Sequence, residues 1–345
     1  MVNKQEEKIK GISTEEFLSQ LDPSLRKRLS NATDVEVHKQ RTPSISLNNA
    51  LKGGFAYGRQ VMVWGNKSAG KSSFCLQMIA DAQKDGKVCA WIDAEASFDP
   101  EWARKLGVDV DQLIYSNARS MNEMVDVGVQ LMKAGVDVLI VDSISALLPA
   151  IYFEKDSEEL KQLENTKQIG AEARDMTNAV KMLNYANNND KPTLLVLISQ
   201  QRNNIGAMFA SHQPTGGHAV KFFSSTIVKL WSSESDNQAI KGKIVSGDKV
   251  IESKIGRVVN WHVDFNKTGP AFVAGSYDFY FDGEGDMGVD KIADLVDTAE
   301  LVGAIQKGGA WYTIGEERLQ GRAKVIDWLK EDPKRVADLE AKLNV

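Results

Sequence analysis

Eight residues leave this chain little freedom in what it folds into: Gly65-Asn66-Lys67-Ser68-Ala69-Gly70-Lys71-Ser72, set between the apolar run VMVW and a helical pattern. The spacing GxxxxGK[ST] between a strand and a helix is that of a phosphate cradle. Its glycines let backbone N–H groups turn inward, and the helix amino end adds partial positive charge. Lys71 is placed to reach the β and γ oxygens, and Ser72 to offer a hydroxyl to Mg2+. Gly65 to Ser72, with Ser73 beside them, form the expected nucleotide-binding segment.

The pattern around this segment is strand, turn and helix, repeated. VMVWG is followed by a helix from Lys71 to Asp85, KVCAWID, a helix from Pro100 to Leu106, LIYS, a helix from Met121 to Ala134, and VDVLIVD. Continuous apolar strands alternating with helices predict an α/β fold whose mostly parallel sheet is covered on both faces. Thr193 to Ser199 and Thr226 to Trp231 extend that sheet. Beyond Lys241 the strands lose their helices and glycines mark the turns, so an antiparallel edge is expected, with Tyr277 to Phe281 its last strand.

Flanking segments read differently. Residues 13 to 30 carry Phe17, Leu18, Leu21, Leu25 and Leu29 at helical spacing behind a cap at Ser13, interrupted by Pro23. Thr33 to His38 alternates like a short strand, an arm suited to a partner surface. The tail from Asp290 is mainly helical, broken at Gly308-Gly309. The expected organisation is 1–44 as a helix-and-strand arm that packs on a partner protomer or on its own core, 45–283 as the phosphate-binding core, and 284–345 as a small C-terminal α/β domain.

Composition narrows the class. Of 345 residues, 42% are hydrophobic and 26% charged, which excludes a disordered or low-complexity chain. Two cysteines, Cys75 and Cys89, cannot form a disulfide framework and suit a reducing compartment. The polar start MVNKQEEKIK and the lack of any run of roughly 18 apolar residues predict a soluble cytoplasmic protein. A net charge of −5 does not decide the partner, because phosphate contacts depend on local clusters of donors.

Two carboxylate positions end neighbouring strands. VLIVD puts Asp142 where it can hold the Mg2+ shell through water, beside Ser143. KVCAWIDAE puts Asp93 and Glu95 at another strand end, where an acid beside the γ-phosphate can orient and deprotonate water, and Glu95 is the candidate base. Taken alone, such a residue is more often a cap or a solvated loop position.

With these residues placed, the chain resembles the RecA family of DNA recombinases from about Ser44 to Leu343. The stretches that carry the likeness are IDAEASFDPEWARKLGVDVDQL (92–113), VDVLIVDSISAL (136–147), LISQQRNNIGAMF (197–209), TGGHAVKFFSS (215–225) and GAWYTIGEERLQGRAKVIDWLKEDP (309–333). The resemblance implies that Glu95 activates water, that Asp99 and Trp102 meet the adenine, and that Gln200 senses the γ-phosphate. Trp102 stands where the family more often has tyrosine. It further implies a first DNA loop between about Pro149 and Gly170, with Ile169, Gly170, Arg174, Thr177 and Lys181 near the strand path. The second would run from Gln201 to about His218, with Arg202, Ile205, Gly206, Gly216 and Gly217, and Lys221 just after it. Lys267 fits one of two lysine positions that reach a neighbour's ATP, while Phe265 occupies the other.

The activity so implied is DNA-stimulated ATP hydrolysis, with ATP and Mg2+ as cofactors. The chain would form a helical homo-oligomer on single-stranded DNA, pair it with double-stranded DNA and exchange strands. The setting would be the cytoplasm of a bacterium or of a phage-infected one. The Phe265 departure, the long segment 232–256, read as a surface hairpin, and the poor match of the first 44 residues suggest a divergent, phage-encoded member. Two alternatives share the core: a ring-forming helicase motor, and a filament regulator that binds ATP and DNA without turnover.

Overall fold

The computed structural model describes residues 12–26, 29, 32–34, 36–153, 171–187, 190–203, 212–215, 217–233, 235, 238–246, 249–282 and 287–343. The chain divides into two compact units, residues 1–38 and 39–345. In the first, helix α1 (Thr14–Ser19) is capped by Ser13, whose hydroxyl accepts from Glu16 N, and α2 (Pro23–Arg26) follows the proline. Among the described residues of Thr33 to His38 the expected strand is not present. Ala32–Asp34 forms a 3-10 turn and residues 36–38 have no regular structure, with Val37 exposed and Val35 outside the described residues.

The second unit opens with strand β1 (Lys39–Gln40), paired with β2 (Phe55–Ala56) around helix α3 (Ile45–Leu51). Ser44 caps α3, its hydroxyl accepting from Leu47 N, and the chain leaves the helix through Lys52 in left-handed backbone.

Then the alternation unfolds as the pattern predicts: β3 (Gln60–Gly65), α4 (Lys71–Lys84), β4 (Cys89–Asp93), α5 (Pro100–Lys105), β5 (Leu113–Ser116), α6 (Met121–Ala134), β6 (Val138–Asp142), α7 (Ala171–Ala186) and β7 (Leu194–Asn203). A short β8 (His212–Pro214) pairs with the outer end of β7, α8 (Gly217–Phe223) follows, and β9 (Thr226–Trp231) completes the parallel part. The antiparallel edge is β10 (Ala239–Ser246), β11 (Lys249–Asn266), β12 (Val273–Tyr280) and β13 (Gly288–Val289). The sheet runs β13-β12-β11-β9-β3-β7-β6-β4-β5, with β10 on the far half of β11 as the expected hairpin. Its last strand is β13, two residues too short to show an alternation, rather than the Tyr277 run.

Both faces are dry. Val61, Val63, Ile140 and Val196 face α4, whereas Met62, Leu139, Val141 and Leu197 face α6 and α7. All of these are at most 1% exposed, and each such burial contributes roughly 1.5–3 kcal/mol. Strands buried on both sides read as unbroken apolar runs, which is why they were visible in the sequence.

The C-terminal region holds its own apolar cluster around Leu295, Val296, Tyr312, Val325 and Leu329. Helices α9 (Lys291–Leu301), α10 (Arg322–Lys330) and α11 (Pro333–Leu343) enclose a three-stranded sheet of β14 (Gln306–Gly308), β15 (Trp311–Ile314) and β16 (Glu317–Gln320). Gly309 is therefore a hairpin residue, with φ 62, rather than a break between helices.

Asp294 of α9 ties this region to α3. Its Oδ2 accepts from Ser44 Oγ at 2.8 Å and from Ser46 N at 3.2 Å, while Oδ1 is buried without a hydrogen-bond partner. Burial pushes its carboxyl from the ordinary 3.8 up to about 6, against the pull of Ser46 and Ser44. Between about pH 4 and 6 the unfolded chain releases this proton and the folded chain keeps it, so stability falls as pH rises through that window. The neutral variant Asp294→Asn should remove this share of the fall, on the order of 3 kcal/mol between those limits. Urea midpoints from pH 4 to 7 check it; an unchanged slope would dissociate the slope from Asp294.

Candidate nucleotide site and loop feet

Parallel register brings five strands together at one end of the sheet. Gly65 lies opposite Gln200 of β7 and Leu230 of β9, and Asp93 lies opposite Asp142. A Cβ at Gly65 would sit 1.7 Å from the Leu230 carbonyl oxygen, so only glycine lets the cradle leave β3 here. Gly70 begins α4 at φ 80, a conformation costly for other residues.

A cavity of about 350 Å3 lies over this end of the sheet, lined by Lys67 to Ser73, Glu95, Trp102, Asp142, Ser143 and Gln200 on one part. Ile198, Arg257, Val259, Phe279 and Phe281 complete the lining. Lys71 is 8% exposed, and its ammonium donates to the carbonyls of Asn66 at 2.8 Å and Gly65 at 3.3 Å. Burial lowers its pKa, opposed by Asp142 and Glu95. Burial raises the Asp142 carboxyl to about 6, opposed by a hydrogen bond from Ser72. Asn66 is held away from the cavity wall by Ser232, whose carbonyl accepts from its amide at 2.9 Å.

Glu95 and Gln200 meet. Glu95 Oε1 accepts from Ser143 Oγ and from Gln200 Nε2, each at 2.5 Å. The Gln200 backbone N–H donates to Ser145 Oγ at 3.0 Å, and its carbonyl accepts from Thr215 N at 3.0 Å, with the Ser145 and Thr215 hydroxyls bonded to each other. Gln200 thus joins the cavity to the segment after β6 and to the entry of α8.

Asp93, at the same strand end as Glu95, has a different place. Its Oδ2 accepts from Ser97 N and Phe98 N, both at 2.9 Å, and from the Tyr115 hydroxyl at 3.2 Å, and Oδ1 accepts from Glu95 N at 3.1 Å. It is 2% exposed and absent from the cavity lining. It shapes the loop that carries Glu95.

Trp102 lines the cavity and its Nε1 donates to Ser73 Oγ at 3.0 Å. Asp99 does not line it; its Oδ1 caps α5 by accepting from Glu101 N and Trp102 N. Lys267 is likewise outside the lining: its N–H donates to Ser225 O at 2.7 Å and its ammonium lies 5.8 Å from the Phe265 ring centre.

Of the expected DNA contacts, Ile169, Gly170, Ile205, Gly206 and Gly216 lie outside the described residues. Arg174 and Lys181 are exposed on α7, and Thr177 between them donates to Ala173 O at 2.6 Å. Their spacing puts all three on one helix face. Arg202 is exposed on β7, opposite Gln213 of β8, so the start of the expected second loop and its residues 212–214 are strand, and its end is helix, rather than loop. Gly217 opens α8 at φ 72, and Lys221 is half-buried on that helix. The sequence reading missed Arg257, Phe279 and Phe281, which approach from an antiparallel edge far along the chain and carry no motif.

The comparisons with known proteins agree with this architecture. The chain matches the RecA N-terminal domain over residues 19–285 and the RecA C-terminal domain over residues 293–345. It therefore belongs to the RecA family, a family of DNA-dependent ATPases of recombination and repair. It is 37% identical to Protein RecA of Aquifex pyrophilus over 313 residues, covering 90% of this chain and 83% of that one. Against Protein RecA of Haemophilus ducreyi it is 36% identical over 322 residues, covering 92% and 80%. With Protein RecA of Colwellia psychrerythraea it shares 34% identity over 320 residues, covering 92% and 86%. No helix among the described residues is long and apolar enough to cross a membrane.

Replacing Asp93 by alanine takes the acceptor from three half-buried backbone N–H groups, those of Glu95, Ser97 and Phe98, and from the Tyr115 phenol. The variant should lose about 2–4 kcal/mol of stability in urea unfolding, and ATPase activity through the displaced Glu95 loop. Full stability would remove Asp93 as the loop's anchor.

Proposed function

We propose that this protein is an ATP-dependent homologous recombination protein that polymerises along single-stranded DNA, pairs it with a homologous duplex and exchanges strands. The observation that carries the proposal is the Glu95–Gln200 hydrogen bond inside the cradle pocket, with Gln200 anchored to Ser145 and Thr215. In this reading Glu95 orients and deprotonates the attacking water, and Lys71 neutralises the phosphates it faces. Gln200 then has two partners to choose between, Glu95 or a γ-phosphate, and its exchange moves the segments tied to Ser145 and Thr215.

The donors present suit Mg2+. Among the described residues no cluster of three or more His, Cys, Asp or Glu side chains could hold a metal ion alone. Ser72 and Asp142 offer a hydroxyl and a carboxylate, hard oxygen donors of the kind Mg2+ accepts when phosphates and water supply the rest. When bound, the ion would neutralise charge between the phosphates.

Arg202 and the α7 face of Arg174, Thr177 and Lys181 would hold DNA phosphates, with Ile169, Gly170, Ile205, Gly206, Gly216, Gly217 and Lys221 completing the two loops. Lys267 would serve a neighbour's ATP, which agrees with its absence from the lining of its own pocket. The 1–44 arm, with Phe17, Leu25 and Leu29 exposed, would dock on the next protomer, and the 284–345 domain would gather duplex.

Electron microscopy with single-stranded DNA, Mg2+ and a slowly hydrolysed ATP analogue tests the class. Open helical filaments are expected; closed rings would favour a helicase motor, and Lys71→Ala should form neither. Glu95→Gln should assemble but lose hydrolysis by roughly 10²–10⁴-fold. Undiminished turnover in that variant would exclude Glu95 as base, and turnover absent even in the unaltered protein would favour the regulator. Arg202→Ala should lower the log–log salt slope of DNA binding by about 1, and an identical slope would exclude a phosphate contact there.

A further inference from the structure

The cavity has two ends, and the function described above uses one of them. Glu95, Gln200 and Asp142 gather over β4, β6 and β7. Arg257 enters from β11, and the sheet order β11-β9-β3-β7 puts three strand spacings, roughly 14 Å, between its strand and that of Gln200. Trp102 reaches the cradle helix from α5 on the β4 side, and Arg257, Phe279 and Phe281 reach it from the opposite side. The far end is thus an apolar slot with an indole on one flank and a guanidinium on the other.

That guanidinium is fixed in place. Arg257 Nη1 donates to the carbonyl of Ser68, within the cradle, at 2.9 Å, and lies 3.5 Å from Ser232 Oγ. Its Cζ sits 5.3 Å from the centre of the Phe281 ring. All these partners are neutral, so the positive charge is held at the pocket by hydrogen bonds and a ring face. Ser73, bonded to Trp102, marks the part of the cradle past Lys71 and Ser72, away from Glu95.

We infer that Arg257 is a nucleotide-binding residue supplied by the chain's own subunit. It acts on the base, ribose and inner phosphates that di- and triphosphates share, and positions the nucleotide against Trp102. The inference rests on reading this pocket as the ATP site. A cation here strengthens ground-state binding of ADP and ATP alike, because it faces nothing that changes when the γ-phosphate is cleaved. It also differs from Lys267, whose proposed target belongs to a neighbour: Arg257 works in an isolated subunit.

The test is calorimetric titration of ADP and of a slowly hydrolysed ATP analogue, each with Mg2+, into dilute protein without DNA. Arg257→Gln keeps an N–H donor for Ser68 but loses the charge. It should bind both nucleotides about tenfold more weakly, as expected for loss of a charge-assisted contact, with an unchanged thermal midpoint. Arg257→Lys should recover most of that affinity. In steady state, KM for ATP should rise with the dissociation constant while kcat changes much less. If Arg257→Gln binds ADP as tightly as the unaltered protein, the inference is wrong. Loss confined to the ATP analogue, or to kcat, would place Arg257 at the γ end and overturn it too. Absence of nucleotide binding by the unaltered protein would instead bring down the reading of the pocket itself.

Discussion

The functional end of the molecule depends on β3 pairing in parallel with β7 on one side and β9 on the other. This pairing sets Gly65 against both Gln200 and Leu230, and the Leu230 carbonyl comes so close that no side chain fits at Gly65. From that point the cradle can leave the sheet and α4 can begin, with Lys71 turned back onto the carbonyls of Asn66 and Gly65. The pairing in turn needs all-apolar strands, because a strand with neighbours on both edges and helices on both faces has no wet surface.

Charge at this end is divided by hydrogen bonding. Asp93 and Asp142 lie side by side in register, yet they do unlike things. Asp93 spends its lone pairs on backbone N–H groups and a phenol, and so shapes a loop. Asp142, buried beside Ser72 and facing Lys71, has its carboxyl pushed up to about 6 and keeps capacity for a cation. Glu95, displaced two residues from Asp93, is tied to side chains, Ser143 and Gln200, rather than to backbone. Side-chain partners can be exchanged for a ligand without unfolding a turn, which is the property a switch needs.

Much of this was legible in the linear pattern. Helix α6 could be bounded because Ser120 and Glu123 form a capping box at one end and Gly135 turns left-handed at the other. The strands β3, β6 and β7 were visible as unbroken apolar runs. Helix α3 was missed because its seven residues are too few for a period to show, and its cap Ser44 is completed by Asp294, 250 residues away. The strand expected at Thr33 to His38 shows the opposite case: the alternation was legible, yet its described residues form a 3-10 turn at Ala32–Asp34 and irregular chain at 36–38.

The sequence by itself determined the cradle, the strand-helix alternation and the strand-end acids, because each rests on spacing within a few residues and on local backbone geometry. Only the tertiary structure decided which acid shapes a loop and which faces the cavity, and that Gln200 meets Glu95. It also brought Arg257 and Phe281 of an antiparallel edge to the far side of a pocket opened by Gly65 and Trp102. Those contacts depend on strand order and register, which are chosen by burial over the whole sheet and leave no mark at any single position.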